Sequence, residues 1–311
     1  MNTNVTGLHH VTAIASDPRQ NLDFYTKILG LRFVKKSVNQ DDPGTYHLYY
    51  GDYQASPGTI LTFFPWAGLR RGRPGTGQAY ATAFSVPAGA LSFWQERFTK
   101  LGVKQEPVEK RFNDEVLPFA DPDGLRLELV ATAEADGRAP ATAKDVPAEF
   151  AIRGFHSSTL AVTSTAATTQ VLTRSMGYRL VSEAGHRTRY TAGAGGPGTY
   201  VDLLADPSLP RGLNGAGTIH HVAFRATNDA AELAARDVLL KDGLHVSPVI
   251  DRAYFKSIYY REPAGVLFEI ATDGPGFAID EPLDQLGTKL GLPPHLEIHR
   301  AEIEAALPPL G

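Results

Sequence analysis

Four stretches of this chain follow one plan, and that repeat limits the fold more than any other property of the sequence. Each opens with a short apolar strand: Leu8–Ala15, Ala79–Val86, Gly154–Val162 and Ile219–Ala226. Each continues into an amphipathic helix that ends at a glycine, where a second strand is expected to begin. The four junctions are Gly30-Leu-Arg-Phe33, Gly102-Val103, Gly177-Tyr-Arg-Leu180 and Gly243-Leu-His-Val246. Glycine suits the position after a helix because that residue takes a left-handed backbone. In the first helix Leu22, Phe24, Tyr25, Ile28 and Leu29 lie near a 3.6-residue period, and Asp17-Pro18 supplies an entry signal with Asp as the cap. A last strand follows another glycine in every unit: Gly58-Thr-Ile-Leu-Thr62, Gly124-Leu-Arg-Leu-Glu128, Gly198-Thr-Tyr-Val-Asp202 and Gly265-Val-Leu-Phe-Glu269. Self-similarity at about 70 residues is too long for a solenoid and points to duplicated small modules.

The fold class expected is therefore α+β, built of four βαβββ modules in two halves. Residues 1–135 form the N-terminal half and 150–275 the C-terminal half, with an Ala/Pro-rich linker, Ala133–Phe150, between them. A tail, 276–311, lies outside the repeat and has a candidate helix at Pro294–Leu307.

Composition removes several function classes. At 311 residues the chain can bury a substantial core. A formal net charge of −4 and the lack of any Lys/Arg-dense stretch argue against a nucleic-acid partner. The absence of cysteine excludes disulfides, thiolate zinc sites and a cysteine nucleophile, so a metal would have to rest on nitrogen and oxygen. There is no basic-then-apolar leader, and no apolar run near the roughly 18 residues needed to span a bilayer. A cytoplasmic protein with no membrane partner is expected.

The chemistry gathers at two equivalent positions of the repeat. The first strands place His10, Ala81, His156 and His221 at one of them, and the last strands place Thr62, Glu128, Asp202 and Glu269 at the other. If modules one and four share a cup, it holds His10, His221 and Glu269 with a neutral Thr62. Modules two and three would then form a degenerate cup of Ala81, Glu128, His156 and Asp202. If instead three pairs with four, the site becomes His156, Asp202, His221 and Glu269. Spacing leaves both open, although the first pairing brings together the doublets His9-His10 and His220-His221. Two imidazoles and one carboxylate form an open facial set suited to iron(II), and to manganese as well.

Each residue also has a plainer role to weigh. A carboxylate inside Val266-Leu-Phe-Glu-Ile270 is costly to bury unless it is paired or binds a cation. Glu128 has Arg126 beside it and reads as structural. Neighbouring strand residues point to opposite faces, so His9 cannot share the face of His10 unless the strand bulges, whereas Thr12 does share it. His47, His186, His245, His295 and His299 are left as structural or exposed. The Gly193–Gly198 run lacks the following Lys-Ser/Thr of a phosphate loop and reads as a plain loop.

The repeat, together with Leu8-His-His-Val-Thr12, Tyr46-His-Leu-Tyr-Tyr50, Arg153-Gly-Phe-His-Ser157, Ile219-His-His-Val-Ala-Phe224, Asp251-Arg252, Tyr254-Phe255, Tyr259 and Gly265-Val-Leu-Phe-Glu269, resembles the vicinal oxygen chelate superfamily. Within it, the chain is similar to the hydroquinone-type ring-cleaving dioxygenases over nearly its whole length, including the tail stretches Leu286-Gly-Thr-Lys-Leu290 and Leu292-Pro-Pro294. The resemblance implies metal ligands at His10, His221 and Glu269, and so the pairing of module one with four. It places His9, Thr12, His220, Arg252 and Tyr259 around the substrate as catalytic residues. It further implies Fe(II), with Mn(II) as the other candidate ion, and a small aromatic diol and O2 as substrates; a homo-oligomer stays open. The alternatives on this fold are a glyoxalase I-type isomerase, which normally uses four protein ligands including two acids, and a metal-free binding protein.

Overall fold

Each of the four repeats folds as one βαβββ unit in the computed structural model, which describes residues 5–310 except positions 135, 142 and 144. Those three positions of the expected linker lie outside the described residues. Module one comprises β1 (Leu8–Ala15), α1 (Pro18–Asp23, continuing as a π turn over Phe24–Ile28), β2 (Arg32–Asn39), β3 (Asp42–Gly51) and β4 (Ile60–Pro65). Module two comprises β5 (Gln78–Val86), α2 (Leu91–Leu101), β6 (Glu109–Arg111), β7 (Asp114–Ala120) and β8 (Arg126–Ala131). Module three comprises β9 (Gly154–Ala161), α3 (Ala166–Gln170, with a π turn over Val171–Ser175), β10 (Arg179–Ala184), β11 (Arg187–Thr191) and β12 (Tyr200–Leu204). Module four comprises β13 (Thr218–Ala226), α4 (Asp229–Lys241), β14 (Ile250–Asp251), β15 (Phe255–Arg261) and β16 (Leu267–Pro275).

Local chemistry sets these boundaries. The Asp17 side chain caps α1, accepting from the Gln20 backbone N–H at 2.8 Å. The junction glycines Gly30, Gly102, Gly177 and Gly243 have φ of 72°, 69°, 72° and 84°. The glycines before the last strands are left-handed too, at 87°, 88°, 89° and 101°. A side chain at any of these sites would cost about 1–2 kcal/mol in backbone strain. The second strand departs from expectation in modules two and four. There the segment after the glycine makes only single bridges, Gln105 with Phe119 and Val246 with Tyr260, before β6 and β14 begin. Pro107 and Pro248 interrupt these segments, and proline has no N–H to give to a ladder. The tail helix is also divided: Pro294–His299 is 3-10, and α5 covers Arg300–Ala306.

The strands form two eight-stranded sheets, ordered β14-β15-β16-β13-β1-β4-β3-β2 and β10-β11-β12-β9-β5-β8-β7-β6. Module four therefore joins module one, through antiparallel β1 and β13, while module three joins module two through β5 and β9. The rival pairing of three with four does not occur in either sheet. In every module the first and last strands lie parallel and adjacent, which sets their two ligand positions side by side. Sequence neighbours meet through the core instead. Tyr25 donates to Asp121 at 3.0 Å between modules one and two, and Tyr260 donates to the Met176 sulfur at 3.1 Å between four and three. One apolar cluster containing Tyr25, Trp94, Phe98, Leu172, Phe224 and Phe268 runs through both sheets and their helices. No helix among the described residues is long and apolar enough to cross a membrane.

Candidate metal centre

The register of β1 on β13 settles how two adjacent histidines serve one site. Leu8 faces Phe224 and His10 faces Ala223, so His9 is an extra residue. Thr12 faces His221 and Ala13 faces Ile219, so His220 is extra on the other strand. Both doublets sit at bulges, which release the strict alternation of a strand. His10 and His221 point inward, where their Nε2 atoms lie 3.4 Å apart. Glu269, from β16, completes the group: its Oε2 is 3.2 Å from His10 Nε2 and 2.9 Å from His221 Nε2.

Each of these imidazoles is oriented by its neighbour. His9 Nε2 lies 3.1 Å from the Thr272 carbonyl, which can only accept, so His9 carries its proton there. Its Nδ1 then accepts from His10 Nδ1–H at 2.9 Å, leaving the His10 Nε2 lone pair free to bind a metal. The His220–His221 contact, Nδ1 to Nδ1 at 2.8 Å, allows the same assignment for His221. Burial, and then the neighbouring imidazole, lowers the pKa of His9 to about 3 and that of His220 to about 3, so both rings are neutral.

These residues fit a divalent cation. Ligands at right angles on an ion with bonds of about 2.1 Å stand about 3.0 Å apart, close to the spacing observed. Both Glu269 oxygens are buried, and neither accepts a hydrogen bond. Burial pushes this carboxyl up, and only positive charge at the His10 and His221 nitrogens would pull its pKa below the ordinary value. A buried carboxylate that faces two nitrogen lone pairs and no donor calls for a cation among them. These three side chains converge closely enough to hold one.

A cavity of about 270 Å³ opens beside the triad and is lined by His10, His220, His221, Arg252 and Tyr259. Arg252 Nε and Ser257 Oγ each donate to the Tyr259 hydroxyl at 3.1 Å. Burial, followed by the charge of Glu269, raises the Tyr259 pKa well above the ordinary phenol value, so it stays protonated. His9 is buried away from the cavity, against Phe255 and Thr272. Thr12 is fully buried, and its Oγ1 is 2.8 Å from Thr62 Oγ1. Thr62 occupies the fourth position of the set, and its hydroxyl also meets His47 Nε2 at 2.8 Å.

Two features escaped the sequence reading. His47 and Tyr49 line the cavity, and their alternation on β3 put them on one face. In the second sheet Glu128 pairs with Arg111 at 2.7 Å, whereas Arg126 lies over the Tyr80 ring. Arg189 grips Asp202 at 2.8 and 3.0 Å and Asp114 at 2.7 Å, with His156 Nε2 at 3.6 Å from Asp114.

Known proteins agree with this architecture. The sequence model of the Glyoxalase/Bleomycin resistance protein/Dioxygenase superfamily matches residues 7–129 and 154–270. The Bacillus subtilis protein named "Putative ring-cleaving dioxygenase MhqO" is 46% identical over 97% of this chain and 96% of its own length. The chlorohydroquinone/hydroquinone 1,2-dioxygenase of Sphingobium indicum is 36% identical over 94% of this chain and 93% of its own. The crystal structure of a Bacillus subtilis protein described as a "putative dioxygenase", 45% identical, superposes with a TM-score of 0.94 over 99% of this chain and 98% of its own. With both halves matched and relatives aligned almost end to end, the chain belongs to the glyoxalase/bleomycin resistance protein/dioxygenase superfamily.

Proposed function

We propose that this protein is a ring-cleaving dioxygenase that uses iron(II) and O2 to open a hydroquinone-type aromatic ring in the cytoplasm. The observation that carries this reading is the convergence of His10, His221 and Glu269 at 2.9–3.4 Å beside a cavity large enough for a single substituted ring. The names of the Sphingobium and Bacillus relatives support the substrate class. The chemistry a bound iron(II) supplies is acidification of a phenol and electron exchange between ring and dioxygen held side by side.

The chain's own residues divide the remaining work. His9 fixes the tautomer of His10 from behind the sheet, and His220 does so for His221 while also facing the substrate. Arg252 keeps a permanent positive charge at the cavity wall, where it stabilises negative charge developing on the substrate. Tyr259, receiving two donors and remaining protonated, has its own proton to give to a substrate oxygen. Thr12 acts at one remove, by engaging Thr62.

Thr62 disfavours the glyoxalase I-type alternative, because its hydroxyl is taken by Thr12 and His47 and no second acid stands at that position. A metal-free binding role leaves the Glu269 carboxylate buried without a donor. The test is oxygen uptake by chelator-treated, iron(II)-reconstituted protein offered hydroquinone, methylhydroquinone or catechol, with a manganese(II)-loaded sample alongside. Uptake with the para-diols is expected. No uptake with any diol would remove the dioxygenase assignment.

A further inference from the structure

Modules one and four are related by an approximate twofold, and the relation extends past the metal ligands. On β15 and β16, Tyr259 stands opposite Glu269; on β3 and β4, Tyr49 stands opposite Thr62. Tyr49 is therefore the counterpart of Tyr259, and both line the cavity beside the triad. The residue two positions earlier holds each hydroxyl: Ser257 for Tyr259, at 3.1 Å, and His47 Nδ1 for Tyr49, at 2.6 Å. His47 is fixed in turn. Its Nε2 meets Thr62 at 2.8 Å, and its ring packs on Tyr49 at 4.0 Å and on Phe64 at 4.4 Å.

The two tyrosines differ in polarity. Tyr259 receives donors from Arg252 and Ser257, so it has a proton to offer. Among the described residues the Tyr49 hydroxyl meets only His47 Nδ1; with the His47 proton on Nε2 toward Thr62, Tyr49 donates to Nδ1 and its oxygen keeps lone pairs for a donor inside the cavity. Burial, then Tyr254, holds the Tyr49 pKa well above the phenol range, and burial, then His10, holds that of His47 well below the imidazole range. Both stay neutral, which suits a pair that accepts from a hydroxyl rather than binding an anion.

We propose that Tyr49, oriented by His47, accepts a hydrogen bond from the substrate hydroxyl that the metal does not take, and so selects diols over monophenols. This rests on the reading of the site as a diol site. A para-diol can place only one oxygen on the metal, and the other enters a buried wall where an unpaired polar group is costly. A site that hydrogen-bonds a substrate hydroxyl discriminates against the analogue lacking it.

The experiment is anaerobic calorimetric titration of iron(II)-loaded protein with hydroquinone and with phenol, alongside steady-state oxygen uptake. Wild type is expected to bind hydroquinone about 10-fold more tightly than phenol, the effect of one net hydrogen bond. Tyr49→Phe, which is nearly isosteric, is expected to bring the two affinities together by weakening hydroquinone alone. In turnover its KM for hydroquinone rises about 10-fold with kcat little changed, the pattern of lost uniform binding. His47→Leu is expected to lose the same selectivity, and a His47→Leu protein that kept it would overturn the orienting role. A Tyr49→Phe protein that kept the wild-type preference for hydroquinone over phenol would overturn the proposal. Absence of hydroquinone turnover in wild type would instead overturn the dioxygenase reading, and the binding ratio separates the two failures.

Discussion

In the second sheet, Glu128 and Asp202 occupy the last-strand positions that Thr62 and Glu269 occupy in the first. All three acids are buried. The second sheet supplies its cations from the chain: Arg111 for Glu128, and Arg189 for Asp202 and Asp114. The Arg189 guanidinium also lies 4.5 Å from the Phe112 ring and 4.9 Å from that of Tyr200, so the second cup is filled by side chains. Among the described residues no arginine pairs with Glu269; two imidazole nitrogens face it, and a cavity opens alongside. One backbone plan thus meets the cost of a buried carboxylate in two ways. An internal cation gives a closed structural cup, and an acid facing two imidazoles beside an open cavity gives, in the function proposed here, a cup for a metal ion.

Arg189→Met breaks this comparison most severely. It leaves Asp202 and Asp114 buried without their cation, and removing one partner of such a network costs about 3–5 kcal/mol. Urea unfolding is expected to shift by that amount, while metal retention in the variant that folds stays near wild type. A variant of unchanged stability would show that the second cup does not depend on its guanidinium.

A smaller effect sharpens the contrast inside the first cup. His9→Ala removes the group that fixes the His10 tautomer and is expected to weaken metal binding about 10–100-fold, as loss of an outer-shell partner does. Its KM for hydroquinone at saturating metal should not move, because His9 is buried away from the cavity. His220→Ala should change both quantities, since His220 faces the cavity as well. Equal effects of the two substitutions on KM would contradict the asymmetry between the doublets.

The repeat disclosed the module plan because glycines at equivalent positions carry the left-handed turns, and those positions can be read directly. Placing His10, His221 and Glu269 together needed only the module pairing, which the histidine doublets suggested and the strand order bears out. The bulges at His9 and His220 were not readable. A bulge is a property of two strands in register, and each strand alone shows only alternation. Arg111 and Arg189 were missed for a related reason, since a buried ion pair forms across strands and the sequence neighbour Arg126 looked equally able to serve Glu128. His47 and Tyr49 were within reach, because their spacing already put both on one face of β3. What hid them was the absence of any cue that this face turned toward the cup. The delayed β6 and β14 also had a visible cause in Pro107 and Pro248.

Iron content after chelation and iron(II) reconstitution, compared among wild type, His10→Ala and His156→Ala, tests most directly the claim that the first cup alone takes its cation from solution. About one iron per chain is expected in wild type and in His156→Ala, and none in His10→Ala. Iron kept by His10→Ala and lost by His156→Ala would contradict it and move the site to the other sheet.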